Sequence, residues 1–139
     1  GNLICPRDPG RRIIGLRQIT TGVTTTSSSD TQITGLSVPV IVPAGRKIKP
    51  SLHINAYNSN ANDGYIVKLW EGAVGTTQLA AGGMEKNSLS ASTGQDPYRV
   101  YTPASSSITI NASFRRTAAG TVDTNSSSTA PTTLLVELV

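Results

Sequence analysis

The chain has 139 residues, 12 basic against 8 acidic side chains, and a formal net charge of +4. That length holds one ordinary domain rather than two, and surface scaling allows about two thirds of the chain's surface to be buried, enough for a core without metal or disulfide staples. Hydrophobic residues are 37%, aromatics 4% and charged residues 14%, which excludes a charge-rich disordered chain and leaves Val, Ile, Leu and Ala to build the core.

Residues 1–11 read GNLICPRDPGR. Pro6 and Pro9 each remove a backbone donor and restrict the residue before them, so neither a long strand nor a helix fits, and an extended arm is expected. It is polar and Pro-broken, unlike a signal peptide. An arm of this kind needs something to grip, either its own domain or a neighbouring molecule.

From residue 12 the pattern becomes that of strands. Ile13, Ile14, Leu16 and Ile19 mark the first, and the polar tract 20–30 after it reads as a loop. Residues 36–42 (LSVPVIV) form a second apolar run, in which Pro39 cannot donate to a ladder and so belongs on an edge strand or a bulge. Ile48, Leu52, Ile54 and Ala56 then alternate with Lys47, Lys49, Ser51, His53 and Asn55, as in a strand with one buried face. Pro50, on the buried parity, marks a bend. Residues 58–64 (NSNANDG) are a turn cluster with Asp63-Gly64 as a hairpin corner. Residues 65–71 carry apolar side chains on both parities, which predicts a central or doubly covered strand. Weaker strands are expected at 77–81, 86–91 and 98–102. Ile108, Ile110, Ala112 and Phe114 alternate with Thr109, Asn111, Ser113 and Arg115, a second half-buried strand. Residues 118–131 form a long polar loop, and 133–139 (TLLVELV) a last strand that must be paired.

With 34 Ser and Thr residues, 13 Gly, 8 Pro and no helical period, the chain is all-β. The expected architecture is a jelly-roll-like antiparallel β-sandwich of about eight strands over residues 12–139, behind an extended arm at 1–11. In a jelly roll the first and last strands pair in one sheet.

Little in the sequence points to catalysis. The lone Cys5 excludes an internal disulfide, a Cys-rich zinc site and an iron–sulfur cluster. His53, the only histidine, lies on a polar strand face and reads as a solvated or interface residue. A catalytic role would require an acid such as Asp63 and a positioned nucleophile, and the carboxylates show no paired or calcium-loop spacing. No enzyme activity and no cofactor are expected. The apolar runs are far shorter than the roughly 18 residues that span a bilayer, so no membrane partner is expected. Basic residues are scattered with few aromatics among them, so nucleic acid is not expected as a partner either. The densest basic spots, Arg46-Lys47-Ile48-Lys49 and Arg115-Arg116, read as solvated strand ends or as contacts to an acidic protein surface. Trp70, Tyr57, Tyr65, Tyr98 and Tyr101 read as core, subunit interface or a sugar-stacking site.

Residues 12–20 (RIIGLRQIT) resemble the opening of a β-sandwich module found in virion proteins of tailed bacteriophages. Residues 34–38 (TGLSV), 44–49 (AGRKIK), 69–72 (LWEG), 77–79 (TQL) and 131–137 (PTTLLVE) continue the pattern in order, while 93–107 and the loop 118–131 depart from it. The resemblance implies a jelly-roll-like fold, a structural or adhesive role and frequent homotrimers. A lone sandwich behind a short arm suits a capsid decoration (cement) protein on the outer surface of the virion. The major capsid protein would then be its partner, gripped by the arm: Leu3, Ile4, Pro6 and Pro9 would anchor it and Arg7 would supply a charged contact. The alternative is a tail fibre or receptor-binding tip that recognises host glycan. A third possibility, a glycan-cleaving enzyme, would need two carboxylates facing one cleft.

Overall fold

The computed structural model describes residues 12–84 and 95–139, and every regular element among them is a strand. In chain order these are β1 (Arg12–Ile19), β2 (Thr24–Thr25), β3 (Thr31–Ile41), β4 (Ile48–His53), β5 (Tyr57–Asn58), β6 (Tyr65–Glu71), β7 (Thr77–Met84), β8 (Ser107–Arg116), β9 (Val122–Asp123) and β10 (Thr132–Leu138). Two antiparallel sheets carry the fold, ordered β1-β10-β4 and β3-β8-β6-β7. Residues 97–101 widen the first sheet along β4. The Ile48 N–H donates to the Tyr101 carbonyl at 2.8 Å, Tyr101 N–H returns the bond at 3.0 Å, and Arg99 N–H reaches the Pro50 carbonyl at 3.2 Å. With that segment included, the first and last strands are neighbours and the chain crosses repeatedly between the two sheets. This is the strand order of a jelly roll, as the sequence led one to expect.

Alternation places the core. Leu134, Val136 and Leu138 of β10 and Ile108, Ile110, Ala112 and Phe114 of β8 point inward and are buried, opposite Ile48 and Leu52 of β4 and Val67 and Leu69 of β6. Each Val, Leu, Ile or Phe among them contributes about 1.5–3 kcal/mol of apolar burial. Tyr65 and Phe114 are the largest fully buried side chains, so aliphatic packing does most of the filling. β6 lies between β7 and β8, and its two faces are both covered, with Tyr65, Val67 and Leu69 buried on one parity and Trp70 only 6% exposed on the other, which explains its apolar residues on both. β3 is a sheet edge, which explains why Pro39 is tolerated there.

Two bulges rearrange the simple alternation. In β1 the register against β10 shifts between Ile13 and Gly15. Ile13 and Leu16, three residues apart, therefore pair with Glu137 and Leu135 and share the outer face, while Gly15 faces Val38 and Val40 of the other sheet. In β3 the register against β8 shifts between Gln32 and Ser37, so that Ile33 and Leu36 are both buried. Gly35 takes φ 92° there, and the Gln32 side-chain amide donates to the carbonyls of Ile33, Leu36 and Ala112 at 2.9–3.2 Å. The amide satisfies carbonyls that the broken ladder would otherwise strand.

Several expectations need correction. Pro50 does not interrupt β4, whose pairing with β10 runs through it without a shift. Asp63-Gly64 is not a two-residue hairpin corner. Asp63 N–H closes a turn onto the Asn60 carbonyl, but β5 pairs with β9 and β6 pairs with β7 and β8. The tracts 20–30 and 118–131 are not wholly loop, because β2, β9 and β5 form a small third sheet in which Val122 is fully buried. Two-residue strands are too short to register as periodicity. The strand expected at 77–81 extends to Met84, and the one expected at 86–91 falls outside the described residues.

Candidate interaction surface

The anchoring residues proposed from sequence, Leu3, Ile4, Pro6, Arg7 and Pro9, lie outside the described residues, as does Cys5. The candidate surface therefore rests on the sandwich itself, and the two outer sheet faces differ in kind.

On the outside of the β1-β10-β4 sheet, Ile13 is 58% exposed, Leu16 42%, Tyr98 62% and Val100 48%. Leu135 of the central strand is half-buried and pairs directly with Leu16 on one side and with Ser51 on the other. Ser51 bridges in turn to Tyr98, and the Lys49 ammonium sits 5.0 Å from the Tyr98 ring centre. Cross-strand partners share a face, so Leu16, Leu135, Ser51 and Tyr98 form one row across the sheet, apolar except at Ser51, and Ile13, Glu137 and Lys49 lie in the row beside it.

The outer face of the β3-β8-β6-β7 sheet is mostly polar and tied down within the chain, apart from Ile41 at the end of β3, which is 71% exposed. Trp70 is only 6% exposed and its indole N–H donates to Ser113 Oγ at 2.8 Å. Asn111 Nδ2 donates to the Gly72 carbonyl at 2.8 Å. Lys68 Nζ donates to Asp30 Oδ2 at 2.9 Å, and Arg115 Nε lies 3.3 Å from Asp30 Oδ1, an ionic contact whose angle falls short of a hydrogen bond. Arg116 gives its guanidinium to the Gly120 carbonyl at 3.2 Å. Arg115 and Arg116 are thus tied inward, not left as solvated strand ends.

The residues weighed for catalysis or sugar binding do not converge on one place. His53 Nδ1 lies 3.4 Å from Asp96, not Asp63, and both side chains are substantially exposed at an open depression shared with Asn55 and Pro131. Asp63 accepts instead from the Thr117 hydroxyl at 3.4 Å. Tyr65 is in the core, and Trp70 is covered. Tyr101 joins the two sheets, its hydroxyl donating to Glu71 Oε1 at 2.6 Å. Burial first, and that bond second, push its phenol above the usual tyrosine range. Tyr57 and Tyr98 are left exposed, on different sheets. Among the described residues, no group of three or more His, Cys, Asp or Glu side chains gathers as metal ligands would. The apolar face has no signature in the sequence, because the bulge at Ile14, which aligns Ile13 with Leu16, leaves no periodic trace.

No family model matches this chain, and no curated protein matches it. Among solved structures it is similar to an Eiger TNF from S. frugiperda (12% identity, 91% of this chain and 93% of that one, TM-score 0.46). It is also similar to a chain of infectious bursal disease virus, Gt strain (11% identity, 99% and 40%, TM-score 0.42). A third likeness is to a family two carbohydrate esterase from Cellvibrio japonicus (15% identity, 97% and 31%, TM-score 0.24). The fold assignment rests on the strand order of the chain itself: an all-β, jelly-roll sandwich.

Proposed function

We propose that this chain is a non-enzymatic structural protein of a phage virion: a capsid decoration protein that grips the major capsid protein through residues 1–11 and associates with itself as a homotrimer. The observation that carries this reading is a sandwich with exposed Ile13, Leu16, Tyr98 and Val100 gathered on one sheet face. The ordered motifs between Arg12 and Glu137, which resemble phage virion modules, support it. In this role the protein adds buried area between capsomers. Because it binds the assembled shell and not its disassembled parts, it stabilises the shell by mass action.

The test adds the full chain, a Leu3→Asp/Ile4→Asp variant and a form lacking residues 1–11 to particles stripped of the protein. Circular dichroism confirms that each form is folded. Full occupancy by the intact chain and none by the two altered forms is the expected outcome. Equal occupancy by all three would refute the role assigned to the arm. Carbohydrate binding by the isolated protein, lost on Tyr98→Ala, would favour a fibre tip that recognises host glycan.

A further inference from the structure

We propose that the outer face of the sheet formed by β1, β10, β4 and residues 97–101 is where copies of this chain pack against one another. This deepens the self-association included in the proposed function, and its test is kept separate from shell attachment.

Four of the six large hydrophobic side chains exposed among the described residues fall on this one face: Ile13, Leu16, Tyr98 and Val100. Chance scatter would divide them between the two sheets. A solvated face would not need the β1 bulge, which brings Ile13 and Leu16 to the same side around the half-buried Leu135. A cluster of exposed apolar side chains on one sheet face marks an interaction site on a folded domain.

The occupant follows from charge and size. Within the face Lys49 and Glu137 pair in register, so both signs are present and neither dominates. A strongly acidic or basic partner gains little there, whereas further copies of this chain, each bringing the same apolar side chains and the same two charges, can meet around the three-fold axis of the proposed homotrimer. Four strands at about 4.8 Å spacing, with about seven residues at roughly 3.4 Å each, give a flat footprint near 450 Å². Side-chain relief adds to that flat figure and brings it toward stable interfaces, at about 600–1,000 Å² per partner. A face of that area, balanced in charge and with its exposed apolar side chains gathered on it, suits packing against other copies of the chain. The opposite face, with Trp70, Lys68 and Arg115 already committed within the chain, offers no equivalent.

The test is sedimentation of the full chain across the micromolar range, with Leu16→Arg and Tyr98→Arg as face variants. Ile41→Arg, at a residue 71% exposed on β3 of the other sheet, is the control. Both face positions are already in solvent, so the variants fold, which far-UV circular dichroism checks. The expected result is an assembled wild type and control, with dissociation constants at least tenfold weaker in the face variants. A wild type that is monomeric throughout the range overturns the proposal. So does an assembly that survives both face variants, or one that Ile41→Arg dissolves. Loss of particle occupancy with assembly intact would instead refute the decoration role and leave this interface in place.

Discussion

Gly15→Ala probes how closely the two sheets approach at β1. A Cβ built on Gly15 would lie 2.7 Å from Val40 Cγ1 and 3.0 Å from Val38 Cγ2. Both valines are 2% exposed and stiff at χ1, so neither methyl can swing aside. Forcing one methyl into packed space costs about 1–3 kcal/mol. At roughly 4 °C per kcal/mol for a chain of this size, that lowers Tm by about 4–12 °C. Val40→Ala alone removes two buried methyl groups and leaves a partial cavity, for about 2–4 kcal/mol. In the double variant the methyl at position 15 occupies space vacated by Val40. The combined loss should therefore fall short of the sum of the single losses by about 1–3 kcal/mol. Urea unfolding, followed by circular dichroism and Trp70 fluorescence at one protein concentration, measures all four corners of the cycle. Losses that add to within about 0.5 kcal/mol would show that contact with Val40 is not why glycine is required there.

Asp30→Asn removes the one carboxylate held between Lys68 and Arg115, whose side chains are 17% and 25% exposed. Two cations are left facing each other in a partly desolvated site, at a cost of about 2–4 kcal/mol, below the loss for a fully buried pair. A urea midpoint that recovers in Asp30→Asn/Lys68→Met confirms the charge argument, and one that falls further refutes it. Tyr101→Phe tests the link between the sheets. Tyr101 is raised by burial and by its bond to Glu71, and Tyr65 by burial and, secondarily, by Asp96. The unfolded phenol titrates near pH 10, so at higher pH the unfolded chain loses protons that the folded chain keeps. Stability is intact below about pH 10 and declines above it. The wild type should lose stability more steeply than Tyr101→Phe between about pH 9 and 11, measured by urea unfolding at each pH, and equal slopes would contradict the assignment.

Much of the architecture was legible in the residues. The alternation that begins at Ile48 marked a half-buried strand, although it runs on to Ala56 and β4 ends at His53. That from Ile108 to Phe114 marked another, the doubly apolar run at 65–71 marked a central or doubly covered one, and Pro39 marked an edge or a bulge. Each signal is local, because a side chain's face depends on its position along its own strand. The small sheet of β2, β9 and β5 was not legible. Thr24, Tyr57 and Asp123 become strand residues only when segments distant in sequence meet. His53 illustrates the same limit, since its acidic neighbour is Asp96, on a different segment.

Composition and periodicity by themselves determined an all-β sandwich with an aliphatic core, because burying one face of each strand is a nearest-neighbour constraint written along the chain. The tertiary structure alone decided which outer face would remain apolar. That outcome depends on one extra residue in β1 turning Ile13 onto the side of Leu16, and on residues 97–101 setting Tyr98 and Val100 beside them. Strand pairing is a relation between distant segments, and no local pattern encodes which segment will lie alongside which.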